Sequence, residues 1–280
     1  MARIAVTGAR GFVAGRLRRL LARRGDEVVL VSRGDPAPVP GEHVAGVSGY
    51  AGLARALRGA DALVHLAGVG RQTADGTFCS VNEALVRDVA RACKNARVRR
   101  IVHVSGLGAS PTSGLAYFVS KHMGERAITE SGVAHVVFRP SYIVGRGDPL
   151  GRHLRARARS GRLVIPGSGR WPLQPIHVDD AARILADAAT SARYAGRTLD
   201  LVGPDRISFR RYAALFCPGA RIESVPLEGA LRDAVAGGDP GVDDLSIMVS
   251  GITGDHGTLA GLHGAPFRRV VRLLEAGRRL

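Results

Sequence analysis

Tyr117 and Lys121 are spaced i, i+4, so on a helix they share one face and can meet a common ligand. The lysine stands out from its background, because the chain holds 38 arginines and only two lysines, Lys94 and Lys121. Arginine has been used almost wherever a generic positive charge serves, so each remaining lysine points to a task that arginine does less well. A guanidinium is planar, multidentate and permanently charged, whereas an ammonium is a compact point charge that adjusts its protonation. A Tyr-x-x-x-Lys helix downstream of a nucleotide-binding turn is what hydride transfer to a carbonyl would need.

Such a turn opens the chain. Residues 3–7 read as a short buried strand, residues 8–15 (Gly8-Ala9-Arg10-Gly11-Phe12-Val13-Ala14-Gly15) as a turn, and residues 16–24 as an amphipathic helix. Gly-x-x-Gly between strand and helix lets the backbone turn tightly and brings a pyrophosphate against the helix N-terminus. A second strand over 27–31 places the turn where a dinucleotide fold carries it. Thr7, Gly8, Arg10, Gly11, Phe12 and Val13 are therefore candidate cofactor contacts. An NAD enzyme usually ends its second strand on Asp or Glu for the ribose 2′-hydroxyl. This chain has Ser32-Arg33 there, a hydroxyl and a guanidinium suited to a 2′-phosphate, with Arg10 to assist. Asp35 is close enough to leave NAD(H) open, so the expectation is NADP(H) in preference to NAD(H).

The elements that position these residues alternate. A Pro/Gly-rich loop over 34–41 precedes a weak strand near 43–47 and a helix over 51–58. Residues 62–68 read as a buried strand ending in Leu66-Ala67-Gly68, and residues 78–96 as one long helix. A strand over 100–106, the Tyr117/Lys121 helix running to residue 130, and a strand over 134–140 follow. Strands and helices at this period predict an α/β fold, a doubly wound parallel Rossmann sheet. From about residue 145 the rhythm breaks. The predicted division is a dinucleotide-binding domain over 1–145 and a smaller substrate-binding and lid region over 146–280, interleaved with returns to the sheet. Within the second half, 219–257 is glycine-rich and weakly periodic, as a mobile lid would be. A last helix is predicted over 267–280.

Composition sets the outer bounds. At 280 residues and 45% hydrophobic content, a full core is affordable and disorder is not expected. No stretch is apolar enough to cross a membrane, and the first strand begins at residue 3, so no signal peptide is expected. Cys79, Cys93 and Cys217 have no metal-like spacing and cannot all pair, which fits a reducing cytoplasm and no metal. The net charge of +16 invites a nucleic-acid reading, but the arginines are scattered and no aromatics interleave with them. Only residues 152–162 form a dense basic run, read as a solvated helix face or an anion-binding edge. The expected partner is a small-molecule carbonyl substrate; oligomeric state is not legible.

With these pieces placed, residues 3–205 resemble an extended, atypical short-chain dehydrogenase/reductase. The resemblance rests on residues 7–13, on His65-Leu66-Ala67-Gly68, Val81-Asn82, Val104-Ser105, Tyr117 with Lys121, Arg139-Pro140-Ser141, and residues 175–180. The run over 104–109 resembles the branch of the complex I nucleotide-binding accessory subunit and related bacterial reductases. The resemblance implies that Tyr117 moves the carbonyl proton while Lys121 binds the nicotinamide ribose and lowers the tyrosine pKa. It also implies cofactor contacts at Leu66, Ala67, Gly68, Val104, Pro140 and Ile143. The family's third catalytic member, a Ser or Thr, falls on Gly106; Ser105 is the nearest hydroxyl, one residue early, and Ser110 or Thr112 would have to loop back. Of the rest, His65 reads as a buried histidine beside the cofactor, Asp179 as a helix cap, and Trp171 as a pocket wall or a core cover. The implied activity is an NADPH-dependent reductase (ketoreductase) acting on a small-molecule ketone, including a polyketide-like ketone of secondary metabolism. A non-catalytic NADPH-binding scaffold and a nucleotide-sugar epimerase or dehydratase are the alternatives.

Overall fold

The computed structural model describes residues 1–34, 37–47, 49–278 and 280. Strand β1 (Arg3–Thr7) is buried at four of its five positions, the pattern of a parallel strand covered on both faces. It leads into α1 (Phe12–Arg23), β2 (Glu27–Ser32), β3 (Glu42–Gly46), α2 (Gly49–Ala56) and β4 (Ala62–His65). A π-helical segment (Phe78–Ala84) runs into α3 (Leu85–Asn95), followed by β5 (Arg100–Val104), α4 (Ala116–Thr129) and β6 (His135–Pro140). These strands and one later strand, β11 (Arg197–Leu201), form a seven-stranded sheet ordered β11-β6-β5-β4-β1-β2-β3, with every pair parallel. The order reverses between β1 and β4, so the crevice above their carboxyl ends is where a doubly wound fold binds its ligand.

Two apolar layers cover the sheet. Leu17, Leu21, Ile184 and Leu185 pack on one face, from α1 and from α6 (Val178–Thr190). Leu53, Val86, Val89 and Ile128 pack on the other, from α2, α3 and α4. A third cluster lies in the C-terminal half, around Leu154, Ile165, Phe209 and Tyr212. That half is built from short pieces: β7 (Ile143–Val144), α5 (Pro149–Arg157), β8 (Arg162–Pro166), β9 (Pro172–Leu173), β10 (Ile176–His177), β12 (Ile207–Ser208) and α7 (Phe209–Phe216). Then come β13 (Arg221–Val225), α8 (Leu227–Val235), α9 (Val242–Val249), α10 (His256–His263) and α11 (Val270–Glu275). Among the described residues, no helix is long and apolar enough to cross a membrane.

Several expectations are corrected. α1 starts at Phe12, not residue 16, because Gly11 takes the extended N-cap conformation and the helix begins at once. The single helix over 78–96 is two, a π-helical segment and then α3. Residues 219–257, weakly periodic in sequence, hold β13, paired in parallel with β8, together with α8 and α9. The terminal helix is six residues, Val270–Glu275; it starts where Asp205 accepts from Val271 N at 3.1 Å and stops before Gly277, which has φ +65°. Asp179 does not cap α6; His177 does, its Nδ1 accepting from Asp179 N at 3.2 Å.

Candidate active site

The turn after β1 is held by close backbone approach. Gly8 has φ +66°, and a Cβ there would lie 2.8 Å from both Ala67 N and the Leu66 carbonyl carbon, so a side chain cannot enter. Gly8 O accepts from Gly11 N at 2.8 Å, which closes the turn. No side chain caps α1, so its first-turn amides face the crevice with no side-chain acceptor. Thr7 Oγ1 accepts from Leu66 N at 3.2 Å and bonds His65 Nδ1 at 2.7 Å. The threonine thus ties the end of β1 to the end of β4. At the end of β2, Ser32 Oγ accepts from Gly34 N at 3.3 Å, and Arg10 Nη1 lies 4.0 Å from where a Cβ on Gly34 would be. Arg10 and Arg33 are exposed at this corner. Asp35 lies outside the described residues.

Tyr117 and Lys121 lie one turn apart on α4, with Nζ 5.8 Å from the centre of the phenol ring. Lys121 is buried, and its Nζ lies 2.8 Å from where a Cβ on Gly68 would be, so the bare glycine makes room for the ammonium. Burial pushes the Lys121 pKa down to about 8 against the pull of Glu125. That carboxylate is committed to Arg139, which donates Nε to Oε1 at 2.8 Å and Nη2 to Oε2 at 2.6 Å. Burial pushes the Tyr117 phenol up to about 12. The expected lowering of this phenol by the ammonium is therefore overturned here: desolvation prevails, and at neutral pH Tyr117 is a protonated donor.

Asn82 is used for structure. Its Oδ1 accepts from Val69 N at 2.9 Å, and its Nδ2 donates to Val69 O at 2.9 Å and to Ser120 Oγ at 3.2 Å. This clamps the strand-end loop against the π-helical segment. The same segment approaches α4 so closely that a Cβ on Gly124 would lie 2.4 Å from Asn82 O. Beneath the crevice, His65 and His103 stack with ring centres 5.4 Å apart on adjacent strands. Both are buried and neutral: burial and Lys121 lower His65 to about 3, and burial, His65 and Lys121 hold His103 well below its usual range.

A cavity of about 600 Å³ opens beside Tyr117. Of the sequence-predicted residues, Phe12, Val13, Tyr117, Pro140 and Ile143 line it together, as does Gly106. Ser105 is corrected: its Oγ is buried without a partner, and the residue is not on the cavity wall. Side chains alternate along a strand and its extension, and it is the missing side chain of Gly106 that would point at Tyr117, with a Cβ 3.0 Å from Tyr117 Oη. Ser110 and Thr112 bond each other at 3.1 Å and do not loop back to the cavity. Trp171 stacks on Phe209, ring centres 5.4 Å apart, and covers core.

Sequence reasoning missed the far wall. Leu107, Phe118, Leu150, Ile247, Met248 and Ile252 make it apolar, and Tyr142, Arg71, His153, Asp239 and Asp244 supply its polar groups. Arg71 pairs with Asp244, Gln72 N donates to Asp243 at 3.1 Å, and His153 lies 3.3 Å from Asp239. These contacts tie α9 and the segment before it across the cavity mouth. The arginines of the basic run 152–162 are exposed and do not line this cavity, as a solvated face requires.

A family model described as NAD(P)H-binding matches residues 8–190. The chain is 26% identical over 213 residues to NADH dehydrogenase (ubiquinone) 1 alpha subcomplex subunit 9, mitochondrial, of Mus musculus, a match covering 72% of this chain and 56% of that protein. It is 37% identical over 189 residues to a ceramide reductase of Caulobacter vibrioides, covering 64% of this chain and 58% of that one. The matched segments thus span a little over half the length of these relatives. Among solved structures, the NADPH complex of the quinone oxidoreductase QOR2 from Escherichia coli superposes with a TM-score of 0.77 at 22% identity, covering 98% of this chain and 99% of that one.

Proposed function

The chain belongs to the NAD(P)H-binding family, and on that premise we propose that it is an NADPH-dependent reductase of a small-molecule ketone with an apolar body. The observation that carries this reading is the phenol of Tyr117 on the wall of a largely apolar cavity, one helical turn from the buried ammonium of Lys121, which has no hydrogen-bond acceptor among the described residues. The residues present fit the cofactor. The Gly8 turn and the uncapped amides of α1 suit a diphosphate, and the buried Nζ of Lys121, free of any hydrogen-bond acceptor among the described residues, suits a ribose diol. Arg10 and Arg33, with Ser32, suit a 2′-phosphate, which favours NADPH over NADH.

Bound NADPH supplies the hydride. Tyr117 gives its proton to the carbonyl oxygen, which completes the alcohol, and Lys121 holds the cofactor in place while its charge favours the phenolate left behind. The apolar wall excludes water from the reacting carbonyl. A relative named a ceramide reductase supports reduction as the class of chemistry. The cavity disfavours the nucleotide-sugar alternative: among the described residues its lining guanidinium, Arg71, is set against Asp244, and burial lowers the pKa of His153, which leaves no free cation for a diphosphate.

One observation favours a second reading. Gly106 withholds the hydroxyl that would sit beside Tyr117, as a cofactor-binding scaffold that has left catalysis would allow, and one relative is named as a subunit of a larger enzyme. Turnover separates the two. Loss of NADPH absorbance with members of a ketone panel supports the reductase. Micromolar NADPH binding with no turnover of any carbonyl, together with a stable protein partner in pull-downs, would establish the scaffold instead.

A further inference from the structure

The reductase reading leaves a chemical gap. One phenol donates to the substrate oxygen, yet a carbonyl oxygen that gains negative charge is stabilised best by two preorganised donors. The position that would carry the second hydroxyl is Gly106, and neither Ser105 nor the mutually bonded pair Ser110 and Thr112 reaches the cavity. Besides Tyr117, the hydroxyls on the cavity wall among the described residues are Ser141, Tyr142 and Ser250. Ser250 is spent, donating to Ile247 O at 2.7 Å. Ser141 and Tyr142 remain.

We infer that the phenol of Tyr142 is the second hydrogen-bond donor to the substrate oxygen, doing from the end of β6 what a hydroxyl at residue 106 would do from the end of β5. The inference rests on the reductase reading. Tyr142 follows Pro140 and Ser141 out of β6, and its carbonyl is anchored by Ile176 N at 3.0 Å, so the backbone that carries the ring is fixed. The ring packs against the C-terminal cluster of Leu154 and Phe209 while lining the cavity, which leaves its polar end for the pocket. Tyr117 and Tyr142 lie on the wall of the same cavity, and a phenol reaches further from its backbone than the hydroxyl of Ser141 does. Burial, Tyr117 and Asp244 all push the Tyr142 pKa up. Tyr142 therefore stays protonated and serves as a donor that does not itself give up its proton. Tyr117 transfers the proton, and Tyr142 holds the oxygen.

The test uses the full chain with NADPH and a panel of alkyl ketones, aryl ketones and β-keto esters. Tyr142→Phe keeps the ring and removes only the hydroxyl. It is expected to lower kcat by roughly 10²- to 10³-fold, the range for one lost oxyanion donor, with KM changing less than threefold and NADPH affinity unchanged (~3-fold taken as no effect). Ser141→Ala is expected to leave kcat within about threefold. A wild-type protein idle on the whole panel removes the reductase reading and this inference with it. An active wild type with an equally active Tyr142→Phe overturns this inference alone. A Tyr142→Phe loss that falls on KM or NADPH affinity rather than kcat, or that Ser141→Ala reproduces, assigns the phenol another role and also overturns it.

Discussion

Lys121 makes the sharpest test of how this site is built, because its substitution should move stability and function in opposite directions. The ammonium is buried, and burial has carried its pKa from 10.5 down to about 8. At about 1.4 kcal/mol per unit, keeping that proton at neutral pH costs the folded protein roughly 3 kcal/mol. Lys121→Met keeps an unbranched chain of similar length and removes the charge. It should stabilise the cofactor-free protein by up to that amount, which already includes the attraction to Glu125. For a chain of this size, about 3 kcal/mol corresponds to a rise in Tm on the order of 5 °C. The same substitution should weaken NADPH binding by about tenfold or more, the range for losing a charged hydrogen bond.

The pH dependence carries the sign. The unfolded lysine keeps its proton up to 10.5, whereas the folded one releases it from about 8. Between those values the unfolded state binds more protons, so wild-type stability rises with pH across that window. Below about 8 the penalty is fully developed. Urea unfolding of the two proteins, at neutral pH and again near pH 9.5, should therefore show Lys121→Met ahead at first and the gap narrowing by about 2 kcal/mol. A variant less stable than wild type at both pH values, or a gap that does not change, would refute the argument that Nζ is a desolvated cation kept for its ligand. Lys94→Arg, at the exposed second lysine, should leave stability and NADPH binding alone.

Three further outcomes follow. Tyr117→Phe should cut turnover on the order of a hundredfold or more, as expected for a general acid, with NADPH affinity nearly unchanged by fluorescence titration. Arg10→Ser with Arg33→Ser should weaken NADPH binding by at least about tenfold while leaving NADH binding alone, since only the 2′-phosphate loses its partners. His65 and His103 are neutral in the fold, with pKa values lowered from 6.5, so their contribution to stability is present above 6.5 and is lost as pH falls below it. His103→Leu, which removes two buried unpartnered ring nitrogens, should move the acid-unfolding midpoint, followed by circular dichroism, to lower pH.

What the chain discloses before folding depends on how local the controlling physics is. The sheet was legible because β1, β4 and β6 have buried centres and read as continuous apolar runs, and because the first turn, closed by Gly11 N on Gly8 O, places a glycine directly after β1. The Tyr117/Lys121 pair was legible because i, i+4 spacing is enforced by one helix. The protonation of that pair was not. It depends on how much water the rest of the chain removes, and the neighbour rule that favours phenolate loses to desolvation once Tyr117 is enclosed. The π-helical segment was hidden for a similar reason: residues 78–96 have an unbroken helical pattern, and the departure is coupled to Asn82 holding Val69 and to Gly124 letting α4 approach. The far wall of the cavity was least legible, since Arg71, His153, Asp239 and Asp244 come from three separated stretches with no shared spacing. Tyr142 lay in plain view, next to the Arg139-Pro140-Ser141 run, but nothing local distinguishes a phenol that faces a cavity from one that faces core. Only the glycine at 106 marks it: a hydroxyl missing from one strand end is a reason to search the neighbouring strand end for another, because both open onto the same crevice.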